Sequence, residues 1–271
     1  MKFTLAVLML SMVTSCLSPH KEGQVDDLNN KIPITMLHQE HLTNKLKQHI
    51  SDAEKKIKKD FEKNKQTGYI TENVNIRQKA SIKSSSLGVY LYGHEIEYVK
   101  YNNKWVCVKY KNKFAYIYSK YVTNELEYHV FEVPYNKHKS FMGYDKITSP
   151  GSPQLKLQNC YAYTGNYGIR QVNRRYCIAV GSAFTTEIGQ YIDLILENGK
   201  VVPCILADQK ADKDTNASNT ITVHDGSAVE FVVNEDALAS RIWKSGNVSS
   251  AAPSWDSSVK YIKVYGKNIF E

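Results

Sequence analysis

Asp208 is the residue from which chemistry can first be read in this chain. It closes the apolar run Ile205-Leu206-Ala207-Asp208, and the stretch after it, Gln209 to Asn219, is polar. A carboxyl at the end of a buried strand and facing a polar loop can act as an acid or base, because apolar neighbours raise its affinity for a proton. A second acid, Glu230, sits inside the next apolar run, Ser227 to Val233, so Asp208 and Glu230 are the catalytic candidates. Lys210 and His224 lie between them in sequence and are candidate ligand-binding groups. The same placement also suits an ordinary strand meeting solvent, a Lys210 paired with an aspartate, and a solvated His224. Asp212 and Asp214 read as loop, since Asp-x-x-x-Asp-x-Asp lacks the Gly and closing Glu of a calcium-binding loop. There is no Cys-x-x-Cys and no His/Cys cluster, so neither a metal nor a cofactor is expected.

The elements that must position Asp208 are short strands. Cys177 to Gly181, Leu194 to Leu196 and Ile205 to Asp208 are separated by Ile188-Gly189 and Asn198-Gly199. Asn-Gly between β-branched runs is a tight-turn signal, because both residues tolerate positive φ. A further strand is expected at Ser227 to Val233, a short helix at Asp236 to Trp243, and a closing strand at Val259 to Tyr265.

The chain has 271 residues, a formal charge of +8 and a pI near 9.0, which favours anionic partners: nucleic acid, lipid headgroups or an anionic cell wall. The N-terminus decides among them. Met1-Lys2 precedes an apolar run, Phe3 to Met12, and then Val13-Thr14-Ser15-Cys16, the pattern of an export signal. That tetrad resembles the lipobox of bacterial lipoproteins, which implies cleavage before Cys16 and lipidation of its sulfur. An exported chain leaves no role for nucleic acid. Cys107, Cys160, Cys177 and Cys204 remain, and they read either as disulfides in one of three pairings or as buried thiols.

Residues 17–34 are polar and aperiodic, the composition of a flexible tether. From Thr35 to Asn64, Leu42, Leu46, Ile50, Ala53, Ile57 and Phe61 recur at steps of three and four, predicting an amphipathic helix about 45 Å long. A helix docked on its neighbour, one paired with a second copy and one lying on lipid all fit that stripe. Near Gln66 the period changes to two. Val74-Asn75-Ile76-Arg77, Gly88, Gly93-His94-Glu95-Ile96, Trp105-Val106-Cys107-Val108, Phe114-Ala115-Tyr116-Ile117 and Tyr121-Val122 follow. This succession resembles the bacterial SH3 family over 67–124, with Phe-Ala-Tyr where that family has Gly-Trp. The resemblance implies binding of peptidoglycan or another cell-wall glycan, with Tyr90, Tyr92, Tyr101 and Trp105 as exposed ligand-binding aromatics; Trp105 also reads as a core residue. Residues 125–175, rich in Pro and Gly, are expected to be an irregular connector, with Arg170, Arg174 and Arg175 solvated or receiving an anion.

Residues 176–271 resemble the double-psi β-barrel of the rare-lipoprotein-A, three-aspartate and expansin-like group. Asp208 falls on that group's barrel aspartate and Glu230 on its later acid, while a His before the Ile-Gly turn and the Gly of Asp-x-Gly are missing. The expected architecture is therefore mainly β: signal peptide 1–16, tether 17–34, helical spacer 35–66, a small SH3-like barrel at 67–124, connector 125–175 and a six-stranded double-psi-like barrel at 176–271. The implied function is a membrane-anchored envelope lipoprotein, facing the extracytoplasmic side, that binds peptidoglycan and cleaves glycan strands as a lytic transglycosylase or hydrolase. The alternative is a non-catalytic wall-binding or scaffolding lipoprotein.

Overall fold

The computed structural model describes residues 34–134 and 137–271, and the chain divides into two compact units, 1–126 and 127–271. The export signal, the lipobox with Cys16 and all but the last residue of the tether lie outside the described residues.

In the first unit, α1 spans Ile34–Asn64, where the apolar spacing places it. Ile57 and Phe61 are fully buried against Val99, Tyr101, Trp105, Cys107 and Tyr116, while Leu42 stays half exposed. Docking on the neighbouring strands is thus what the last two turns do, and each of those two side chains contributes about 1.5–3 kcal/mol of burial. Seven strands follow: β1 Gln66–Ile70, β2 Val74–Arg77, β3 Ser86–Tyr90, β4 Glu95–Lys100, β5 Trp105–Tyr110, β6 Lys113–Tyr118 and β7 Val122–Thr123. They pair antiparallel in the order β3-β2-β6-β5-β4-β1-β7. Strand β5 shows why the helix matters. Val106 and Val108 enter one core with Ile70, Ile76 and Ile117, while Trp105 and Cys107 point to the other face, under α1. A strand covered on both faces needs a continuous apolar run, as Trp-Val-Cys-Val is. The aromatics expected to be exposed are corrected accordingly: Tyr101 and Trp105 are buried in the cluster beneath α1, Tyr92 is also buried, and Tyr90 is half-buried.

The second unit is one mixed sheet of nine strands. Its elements are β8 Tyr128–Glu132, β9 Ser140–Gly143, α2 Pro153–Cys160, β10 Tyr163–Thr164, β11 Arg170–Val172, β12 Arg175–Val180, β13 Gln190–Leu196, β14 Val201–Gln209, β15 Val229–Val233, α3 Ser240–Ser245 and β16 Val259–Asn268. The order is β10-β11-β12-β14-β13-β16-β8, with β15 added to β12 beyond β11 and β9 added to β15. Of these nine strands five, β12 to β16, lie in the region where a six-stranded barrel was expected, and among the described residues no pairing closes either sheet into a barrel. The segment expected to be an irregular connector contributes the other four, β8 to β11, and α2. Its prolines punctuate short elements: Ser152 caps α2 by accepting from Leu155 N at 3.2 Å, with Pro153 in the first turn.

Two arginines expected at the surface are buried. Arg170 donates to the Gln158 side chain and to the Gln158 and Ala162 carbonyls. Arg175, 1% exposed, donates to Asp193 Oδ1 at 2.8 Å and to the Ile192 and Cys204 carbonyls. Arg174 remains exposed. An arginine beside a strand start can be pulled inward when a carboxylate on the next strands satisfies it, and Asp193 does so. All four described cysteines are free thiols, buried at Cys107, Cys177 and Cys204 and exposed at Cys160.

Candidate functional site

The central feature is a row of four residues across four strands. Ala179 on β12 is in register with Asp208 on β14 to one side and with Glu230 on β15 to the other. Glu230 is in turn in register with Ser140 on β9. Residues in register project from the same face of a sheet, so Asp208, Ala179, Glu230 and Ser140 form a line in which a methyl group separates the two carboxyls. Two strand spacings put their Cα atoms about 10 Å apart. A bulge makes this possible. The β12–β14 register slips between Ile178/Leu206 and Ala179/Asp208, leaving Ala207 as the extra residue. Such a bulge re-aims the side chain that follows it.

Both carboxyls are half-buried, and burial pushes both above the usual carboxylate range. At Asp208 this is opposed by the Gln209 N–H, which donates to Oδ1 at 2.9 Å, and by the Gln154 side chain from the first turn of α2. At Glu230 it is opposed by Lys210 and by the Ser140 hydroxyl, while Asp225 and Asp208 add to the rise.

Lys210 does not pair with Asp208. Its ammonium is buried and donates to the Thr222 hydroxyl, to Ser227 O at 3.0 Å and to Ser227 Oγ at 3.0 Å. Burial lowers its pKa, against the pull of Glu230 and Asp225. Ser227, fully buried, also lies 2.9 Å from Ser140 Oγ. His224 is exposed on the 223–225 turn; His138 is the histidine beside this cluster, 3.5 Å from Asp225. Gly181, just beyond β12, lets the loop before the cluster close in: a Cβ there would collide with the Asn219 carbonyl. Sequence reading found both acids and Lys210 but missed Ala179, Ser140, Ser227 and Gln154. Small and hydroxyl residues carry no signal until strand order aligns them with an acid.

The first unit carries a separate groove of about 310 Å³, lined by Trp105, Tyr118, Tyr121, Arg77, Lys120 and Ile82 among others. Trp105 and Tyr118 meet edge-on at 5.2 Å, and Lys120 Nζ sits 4.6 Å from the Tyr121 ring. Of the four aromatics expected to bind ligand, Trp105 borders this groove; Tyr90 instead stacks on His94 at 4.5 Å, and Tyr101 packs on Tyr116 at 4.9 Å. The other two rings on the groove are Tyr118, the last residue of β6, and Tyr121, just after it. Among the described residues, no group of three or more His, Cys, Asp or Glu side chains is placed to hold a metal ion.

Residues 72–123 match the family model of the bacterial SH3 domain, so this segment of the first unit is a bacterial SH3 domain. No curated protein matches the chain.

Proposed function

We propose that this is an exported cell-envelope protein, anchored through Cys16, that holds peptidoglycan in the first unit and cleaves glycan strands at the Asp208–Glu230 row. A bacterial SH3 domain is consistent with cell-wall binding. The groove beside it offers stacking rings for a sugar or peptide and cations for a carboxylate. For the second unit the carrying observation is the pair of carboxyls flanking Ala179 with burial raising both. Glycosidic cleavage needs a proton donor on the leaving oxygen and a second carboxyl that stabilises the oxocarbenium-like centre or activates water. A methyl floor between two acids leaves room for the scissile bond. The double-psi reading is supported by two parallel pairs, β12·β14 and β9·β15, joined through antiparallel β12·β15.

Incubation of the purified mature protein with sacculi, followed by analysis of released muropeptides, tests the catalytic half. Products from wild type that fall at least 100-fold in Asp208→Asn support it, on the scale of losing a general acid. No products at all from wild type would leave the non-catalytic wall-binding reading. Retention on sacculi tests the binding half: Tyr121→Ala and Lys120→Ala are expected to reduce it without changing cleavage of soluble glycan.

A further inference from the structure

We infer that the groove of the first unit takes the free carboxylate end of a short peptide, so that the domain holds wall whose peptides are not cross-linked at that end. The inference rests on the wall-binding reading and names the wall component that the groove takes.

Strand pairing makes the groove. β2 and β6 pair only at Arg77 and Tyr116, and beyond that pair Asn75 and Tyr118 line a gap between the parting strands. A gap beside a strand is a place where an extended peptide main chain can lie. Two cations line it, Arg77 and Lys120, and no Asp or Glu is among the described residues that do. Neither cation is ion-paired to a described residue. The Arg77 guanidinium gives one N–H to Ser84 O at 2.7 Å, which fixes its direction, and its fork has further N–H groups. The amide oxygens at the groove are already accepting, Asn73 Oδ1 from Tyr92 N at 3.1 Å and Asn75 Oδ1 from Ser86 Oγ at 3.2 Å. The lining is therefore rich in donors and poor in acceptors. A neutral sugar presents hydroxyls, which donate as well as accept, whereas a carboxylate only accepts.

The rings point the same way. Stacking on a sugar needs an open ring face, yet Trp105 is 6% exposed and meets Tyr118 edge-on, and Lys120 Nζ lies over the Tyr121 ring. What the rings leave at the groove is an apolar wall, extended by Ile82, which is 70% exposed. An exposed isoleucine beside two cations suits an anion that carries a small apolar group, as the last residue of a peptide does. A phosphate polymer would meet the cations and leave Ile82 in water. The volume, about 310 Å³, is at the small end of ligand sites and gives room for a chain end.

NMR titration of the full chain tests this, with N-acetyl-alanyl-alanine, its carboxamide, the tetramer of N-acetylglucosamine and inorganic phosphate as probes. The free acid is expected to shift the signals of Arg77, Lys120 and Tyr121 and to bind about tenfold more tightly than the carboxamide, the scale of one charge-assisted hydrogen bond. Phosphate and the sugar tetramer are expected to bind more weakly than the acid. Lys120→Gln is expected to bring the acid down towards the carboxamide and to leave the carboxamide unmoved. Arg77→Gln should do the same; if loss of its bond to Ser84 unfolds that variant, the exposed Lys120 decides. Equal binding of acid and carboxamide overturns the inference, as does absence of binding by either or tighter binding of the tetramer or of phosphate. Retention on sacculi with no difference between acid and carboxamide overturns the carboxylate assignment alone. The expected difference without retention on sacculi overturns the wall-binding reading alone.

Discussion

Two polar clusters sit on the sheet of the second unit, and they are finished differently. Arg175, Asp193 and Tyr265 are sealed: Arg175 gives Asp193 Oδ1 a bond of 2.8 Å and Tyr265 Oη gives Oδ2 one of 2.7 Å. Both donors are 1% exposed. Each carboxylate oxygen has its own partner and the charge is neutralised on the spot. The Asp208–Glu230 row has two acids with no arginine between them, and the nearby Lys210 ammonium is held by Thr222 and Ser227. Its carboxyls are half-buried and still reach solvent. A buried charge that is matched locally is costly to unpair, whereas a half-buried carboxyl with no cation beside it keeps a raised affinity for its proton.

The largest effect expected from breaking this contrast is at the sealed cluster. Asp193→Ala strands the Arg175 guanidinium in the core and is expected to cost about 3–5 kcal/mol in chemical denaturation of the full chain. Tyr265→Phe removes one donor and leaves Asp193 Oδ2 under-satisfied, an expected loss of about 1–3 kcal/mol by the same measurement. The open row should respond with the opposite sign. Because burial raises the folded-state pKa of Asp208, its contribution is fully present below the ordinary carboxylate pKa and is lost as pH rises through the folded value. Asp208→Asn removes that loss. It should match wild type in thermal stability near pH 3.5 and exceed it increasingly towards pH 7, while muropeptide release falls. The smallest effect is expected where opposite charges meet at the surface of the first unit. Lys109 and Lys65, as hydrogen-bond partners of Glu62, hold its carboxyl down at about 2. A lowered folded pKa stabilises above the unfolded value of 4.5 and is lost as pH falls towards 2. Glu62→Gln should therefore flatten the acid limb of the first unit's unfolding between those values. Salt should weaken the wild-type effect, as it does not for Asp193.

Parts of this arrangement were legible in the residues. The helix over Ile34–Asn64 shows in a stripe of period 3.6, and Asn198-Gly199 marks the β13–β14 hairpin because its geometry is local. Asp208 and Glu230 stand out as acids set in apolar runs. Other parts misled. Tyr101 looked like a surface aromatic because a helix more than 35 residues earlier covers it. The run 125–175 looked irregular because its strands are short and find partners far along the chain, as β9 does with β15 and β8 with β16.

By itself the sequence determined the local periods, the turn positions and the chemical types available to a site. These depend on residues a few positions apart, where backbone geometry dictates which side chains share a face. Only the tertiary structure decided that β12 and β14 run parallel, that a bulge at Ala207 turns Asp208 into line with Ala179, and that Ser140 and Glu230 become neighbours from positions 90 residues apart. Strand order and register are set by the packing of the whole sheet, and a slip of one residue would send every one of these side chains to the opposite face.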